Sequence, residues 1–357
     1  EAFGAVSARV EGQVDLNPAL SDGVFLEDLG GVDGQGVNGG VVELTVGSTT
    51  AEVDLTGAAT VGEVLDRLQA GLDTIVPGST VTTDGSRFSF TVAGVDDLVI
   101  AGVAGDVGSS LGLEGTFAAG ATTTGGDTQP KMLGRTRIAD LEGLSGVLGS
   151  IQLENGGNVQ TVDLSGAETI ADLQNLIDSA DLGIRLEVEE AGTLSMFNEV
   201  SGTWMSVGED GGDTATLLGL RSMGLDTPLS VFNDGDGVPI RSGSIDPETG
   251  LPDPAGDVDF TISLADGRSF EVDLAGAETV GDVLSALQAA AGAATPPVGL
   301  GEFTAELAST GNGIVLTDNS GGVTGTFKVT PANGSRAAEA LGLLAPVSGN
   351  VISGEDR

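Results

Sequence analysis

Apolar residues along this chain alternate in short runs and then, at three places, switch to the spacing of a buried helix face. In VDFTISLADGRSFEVDL, Val258, Phe260, Ile262 and Leu264 share one side of an extended run, an Asp-Gly pair supplies a turn, and Phe270, Val272 and Leu274 share one side of the next. This predicts a β-hairpin. The segments VELTVGSTTAEVDL and SIQLENGGNVQTVDL predict two more, earlier in the chain. After each hairpin a Gly-Ala step turns the chain and a Thr starts a helix. Val61, Val64, Leu65 and Leu68, and likewise Val280, Val283, Leu284 and Leu287, have the i, i+3, i+4, i+7 spacing of one apolar face, which Ile170, Leu173 and Ile177 repeat. Thr60 with Glu63, Thr169 with Asp172 and Thr279 with Asp282 fit a capping box, the Asp versions being expected to be the weaker.

The same words recur in the same order. VDLTGAATV begins at Val53, VDLSGAETI at Val162 and VDLAGAETV at Val272, offsets of 109 and then 110 positions, the size of a small domain. A Gly-Val pair (Gly36-Val37, Gly146-Val147, Gly237-Val238) opens each copy, and LGL (Leu111 to Leu113, Leu218 to Leu220, Leu341 to Leu343) closes it. Between helix and LGL lie further alternating runs around Phe88 and Phe90, Ile184 and Leu186, Ile314 and Leu316, then a short Ala/Leu segment. The pattern predicts an α+β fold of tandem modules, each a small, mainly antiparallel sheet with one main helix packed on it and a short second helix. The expected division is a connecting strand or linker at 1–20, modules at 21–125, 126–222 and 223–345, and a connecting strand or tail at 346–357. Polar segments AAGATTTGGDTQP and RSMGLDTP set the internal boundaries. The third copy carries IDPETGLPDPAGD within about 241–257, an expected exposed loop insertion.

Composition narrows the chemistry. Thirteen basic residues against 53 acidic ones leave a formal charge of −40, which repels nucleic-acid phosphates and anionic lipid headgroups, so neither is an expected partner. Cys and His are both absent, which removes disulfides, thiolate and imidazole metal sites and the common nucleophile-base pairs. Paired carboxylates alone can hydrolyse glycosides, but sugar clefts use aromatic platforms, and this chain has one Trp, no Tyr and 11 Phe at mostly strand-like positions. Trp204 itself, in SGTWMSV, is expected in the packing of a strand or its edge. NDGDG at Asn233 to Gly237 has the start of a calcium loop without the later bidentate Glu, and GEDGGDTA from Gly208 leads into a short helix; both read as turns. No catalytic, cofactor-binding or metal-binding residue is therefore assigned, and no enzyme is expected. No run is long enough to span a membrane, and residues 1–20 lack a signal-peptide layout.

Taken in order, the Gly-Val pair, the hairpin, VDLSGAETIADLQNLI and the closing LLGL resemble the flagellin hook IN motif of bacterial flagellins, hook-filament junction proteins and filament caps. The likeness covers nearly all of residues 21–345 in three copies, the second, from TRIADLEGLSGV to LLGL, being the nearest. VEGQVDLNPAL and VSGNVISGEDR resemble the strands by which such outer domains leave and rejoin a helical stalk, which would set the two ends side by side. The resemblance implies an extracellular structural part of the bacterial flagellum, with no catalytic residue, no cofactor, and partners reached through long helices that this chain lacks. The chain opens on Glu1 and reads as an excised or processed piece, expected to be monomeric by itself. The alternative is a modular bacterial surface adhesin or surface-layer segment.

Overall fold

A computed structural model of the chain describes residues 9–144, 147–322 and 324–354, so Gly146 of the second Gly-Val pair lies outside the described residues. The fold is α+β, with six small sheets whose ladders are all antiparallel among the described residues. Strand β1 (Arg9–Glu11) comes first in the chain but joins a sheet formed much later.

The first core starts with the hairpin of β2 (Gly40–Val46) and β3 (Thr49–Asp54), then helix α1 (Val61–Ile75), then a second hairpin of β4 (Thr80–Asp84) and β5 (Arg87–Thr91). Strand β6 (Leu98–Gly105), the single-turn helix α2 (Val107–Ser110), β7 (Gly115–Phe117) and β8 (Thr122–Asp127) complete it. The pattern suggested one sheet per module, and the structure has two, ordered β3-β2-β6-β7 and β4-β5-β8. The reason is the helix. α1 packs against β3 of one sheet and β4 of the other, and its buried Val61, Val64, Leu68 and Leu72 fill the angle between them. Phe88 and Phe90 close that angle from the second sheet. Burying one such aliphatic side chain stabilises a fold by about 1.5–3 kcal/mol, so this row outweighs any propensity term in the helix.

The plan repeats. The second core has β9 (Ser150–Asn155), β10 (Asn158–Asp163), α3 (Ile170–Asp178), β11 (Ile184–Val188), β12 (Leu194–Asn198), β13 (Met205–Asp210) and α4 (Thr214–Leu217). The third has β14 (Phe260–Ser263), β15 (Ser269–Val272), α5 (Val280–Ala293), β16 (Phe303–Leu307), β17 (Thr310–Gly311), β18 (Ile314–Asp318), β19 (Lys328–Pro331), α6 (Ala337–Ala340) and β20 (Val351–Ser353). In each, the wedge helix touches the last strand of the first hairpin and the first strand of the second.

What differs is where the third strand of the second sheet comes from. The first core uses its own β8 beside β5, the second uses β1 beside β12, and the third uses β20 beside β18. The first and last described strands, β1 and β20, thus pair with different sheets instead of with each other. Leu16 lies in the second core and Ile352 in the third, both buried. The expected boundary at 125 falls inside β8: the Thr-rich stretch that reads as a polar connection takes an extended form, where the Thr91 and Thr122 hydroxyls bond at 2.8 Å.

A fourth strand on the first sheet shows similar economy. The first core adds its own β7, and the second receives β17 from the β16–β18 turn of the third. Among the described residues the third core adds none, and its open strand β19 carries Lys328 and Pro331. Ala332 gives its amide to Asp259 O at 2.9 Å, so by strand alternation Pro331 faces the open side.

This interlocking predicts unequal autonomy. A fragment of residues 17–134 contains every strand of the first core and should fold alone with a cooperative thermal transition by circular dichroism. A fragment of residues 126–222 lacks both β1 and β17 and should show a weak, non-cooperative transition unless peptide 9–16 is added. Equal stability of the two would contradict the shared-strand arrangement.

Candidate functional site

The residues of the repeated phrase VDLxGAxT converge on one place in each module, the start of the wedge helix. Val53, Val162 and Val272 and the leucines two positions later, Leu55, Leu164 and Leu274, point into the cores. The intervening aspartates point out, and each accepts the amide two residues on: Asp54 from Thr56 at 2.8 Å, Asp163 from Ser165 at 2.9 Å, Asp273 from Ala275 at 2.8 Å. This is an Asx turn, the reason an acidic residue recurs inside an apolar phrase. The amides of Ala58, Ala167 and Ala277 then bond the carbonyls of those leucines at 3.2, 3.1 and 2.9 Å and close the corner.

A helix begins with four amides that have no partner inside it. Thr60, Thr169 and Thr279 each accept the amide three residues later on their hydroxyls. The two amides before it are met from upstream. Val61 and Gly62 bond Val24 O and Asp22 O, Ile170 and Ala171 bond Thr136 O and Gly134 O, and Val280 and Gly281 bond Thr227 O and Leu225 O, all at 2.7 to 3.0 Å. The upstream segment is held in turn by Leu26, Ile138 and Leu229, each buried at the first position of a 3-10 turn. The expected ranking of the caps is reversed: Asp172 and Asp282 return to the Thr amide at 2.9 Å and complete the box, whereas the longer Glu63 reaches past it to Ala59 N. The hydrogen bonds from Thr169 hold the Asp172 carboxyl below its ordinary range, and those from the Glu278 amide and Thr279 do so for Asp282.

LGL proves to be a helix-ending device. Gly112, Gly219 and Gly342 adopt φ of 64°, 70° and 73°, and their amides bond the carbonyl three residues back. The leucine after each bonds the carbonyl five back, at 2.8 Å in all three copies, so the phrase is a Schellman motif with both leucines buried.

Acidic groups inside the protein hold backbone. Glu209, 1% exposed, accepts from Ala215 N, Thr216 N and the Thr216 hydroxyl at the start of α4. Asp259, fully buried, accepts from Arg241 N, Leu274 N and the Ser335 hydroxyl, tying the insertion, the helix corner and the segment before α6 together. Neither role was visible in sequence, because each acid answers donors that only the folded chain supplies.

At the junction of the first and second cores, Arg135 makes a two-pronged contact with Asp28, reaches Glu27 Oε1 at 2.6 Å, and lies over the Phe25 ring at 5.1 Å. The Asp28 contact, chiefly, raises the guanidinium pKa further. Between the second and third, Arg221 donates to Ala308 O at 2.6 Å, Gly211 N to Ser309 O at 2.6 Å and Met223 N to Asn312 Oδ1 at 3.2 Å. Gly208 lies so close that a Cβ there would come within 2.6 Å of the Gly311 backbone.

The segments weighed as sites fall elsewhere. Asn233–Gly235 is a 3-10 turn with Asn233 at φ 53°, its side chain bonding Gly237 O. The segment from Gly208 runs through the end of β13 into α4. Trp204 is 46% exposed just before β13, not in the core, because Met205 takes the inward position. A depression lined by Asn155, Asn158, Gln160, Asp181 and Thr203 has a largely polar wall, yet its Asn155 is committed to Leu182 O, Asn198 and Thr203. Among the described residues no group of three or more acids is placed to hold a metal, and no helix is long and apolar enough to cross a membrane.

No family model matches the sequence, and no curated protein matches it. Among solved structures, the crystal structure of the flagellar cap protein FliD from Helicobacter pylori is similar over 98% of this chain and 84% of that one, at 12% identity and a TM-score of 0.17.

Two outcomes follow from this geometry. Thr169→Ala should lower stability by about 1 kcal/mol at neutral pH. Asp172→Ala removes a contribution present above the unfolded pKa of 3.8 and lost as pH falls through the lower folded value, so variant and parent should converge in strong acid; a denaturation gap that stays constant with pH contradicts this. The charge of −40 and the directly opposed Glu43 and Glu52 of β2 and β3 predict salt dependence. Thermal unfolding between roughly 0.05 and 2 M NaCl should shift upward by on the order of 10 °C. Glu52→Gln should gain at low salt only, and a flat profile would show the repulsion to be negligible.

Proposed function

We propose that this chain is a structural, non-catalytic part of the bacterial flagellum, forming outer, surface-exposed domains of a flagellin-like or hook-filament junction protein. The observation that carries the reading is the threefold recurrence of one ββα unit whose repeated corner, helix start and LGL phrase serve turns, caps and cores. The order of those phrases is the one in which the chain resembles the flagellin hook IN motif. A repeated unit whose shared corner, cap and LGL phrase are architectural is suited to projecting a surface rather than to turning over a substrate.

In this role the protein is extracellular, and assembly with other subunits runs through helical segments outside these residues. Mutual repulsion among acidic coats keeps the projecting domains from sticking to one another. The insertion of the third module favours a second reading, a surface adhesin or surface-layer segment. It is held in shape by Arg241 Nε to Gly256 O at 2.7 Å and Ser244 N to Asp257 at 2.8 Å, yet it leaves Ile245 and Leu251 exposed.

Antibodies raised against residues 9–354 and visualised by gold labelling on source cells separate these. Label along the filament or at its base, lost in cells stripped of flagella, is the expected result. Label retained on the wall of flagellum-free cells would establish the adhesin reading instead. The isolated chain should sediment as a monomer at high concentration, and filaments grown from it alone would overturn the assignment of assembly to other segments.

A further inference from the structure

Four asparagines precede a glycine: Asn38, Asn155, Asn312 and Asn333. Such a pair is the most reactive setting for side-chain loss of ammonia, since glycine places no Cβ beside the attacking backbone nitrogen. The structure treats the four very differently. Asn155 and Asn312 are each 4% exposed, the first with its amide bonded to Leu182 O and Asn198, the second accepting the Met223 amide. Asn333 sits at φ 50° with its Nδ2 on two carbonyls, Ala255 O at 2.7 Å and Val258 O at 3.0 Å. Asn38 is exposed, in the glycine-rich loop before β2, and its side chain makes one contact, Nδ2 to Asp106 Oδ2 at 3.1 Å.

We propose that Asn38 is a site of spontaneous, self-catalysed modification, converting to isoaspartate and aspartate while the other three asparagines persist. The Gly39 nitrogen loses its proton to solvent base and attacks Asn38 Cγ. The new N–Cγ bond closes a five-membered imide, the Cγ–Nδ2 bond breaks, and the nitrogen leaves as ammonia after taking up a proton. Water then opens the ring at either carbonyl, giving aspartate or, with the main chain rerouted through Cγ, isoaspartate. No oxidant, cofactor or enzyme is needed. Attack requires the loop to rotate Asn38 Cγ over Gly39 N, and one exposed hydrogen bond, of modest net strength, is a small barrier to that motion. For Asn155 and Asn312 burial holds the carbon away from its neighbour, and for Asn333, which is exposed, the two carbonyls gripping Nδ2 do so.

The product changes the molecule where it forms. A donor to Asp106 becomes a carboxylate facing a carboxylate, at the residue preceding α2, and isoaspartate adds a backbone atom two residues before β2 begins its ladder at Gly40. On a surface protein with no repair, that loop would record the age of each copy.

The intact protein, kept at 37 °C in mildly alkaline buffer for several weeks, is digested and its asparagine peptides followed by mass spectrometry, with isoaspartate identified by enzymatic methyl transfer. The expected result is a gain of one mass unit at Asn38, mainly as isoaspartate, with at least tenfold less at Asn155, Asn312 and Asn333. Gly39→Ala should slow the reaction at least tenfold, and Asn38→Gln should abolish the methyl-accepting signal in the folded protein. Conversion at a buried asparagine as fast as at Asn38, or no conversion at Asn38, overturns the proposal.

Discussion

The unpartnered amides at the start of each wedge helix are the constraint on which the rest of this architecture depends. α1, α3 and α5 lie between two sheets, and their first residues Val61, Ile170 and Val280 are buried, where an unsatisfied amide costs about 1–3 kcal/mol. Each helix therefore recruits a threonine from the corner before it and a pair of carbonyls from a segment much further upstream. That second requirement fixes the 3-10 turn at the head of the module against the helix, and through the buried Leu26, Ile138 and Leu229 it sets one wall of the core. Positive helix ends that bind anions elsewhere are here occupied by the protein's own oxygens.

Much of this was legible in the chain. The hairpins, the helix faces and the corner VDLxGAxT follow from spacing alone, because each depends on residues within about one turn of one another. The relation between sheets was not legible. A period-two pattern says that a strand has an inner face without saying which neighbour shares it, so the run around Phe88 and Phe90 read as a continuation of the first sheet, and the Thr-rich stretch of β8 read as a connection. Nor could spacing show that β1 would complete a sheet whose other strands lie beyond residue 180. The interior acids Glu209 and Asp259 sit in stretches that read as a turn and a strand face, and Trp204 stays half-exposed beside its strand.

Basic residues are few, and the structure uses them as ties. Arg87, Arg221 and Arg241 bond carbonyl oxygens, while Arg9, Arg135, Arg185 and Arg268 form pairs or stack on rings at places where separate strands meet. A guanidinium suits this, since its planar fork can satisfy several oxygens at once. Many of the acids serve the backbone instead, Asp54, Asp163 and Asp273 in turns and Asp172 and Asp282 in helix caps.

The bare margin of the third module has a different meaning from the filled margins of its two siblings. A sheet edge is a template on which any passing extended chain can settle, and proteins blunt it with lysine or proline. Strand β19 has both, in Lys328 and Pro331, and one of them has no hydrogen to offer outward. Lysine and proline at β19 thus oppose the lending of a further strand at this margin. Extending the array by a further repeat would call for a rewritten β19 before any new neighbour could lean on it.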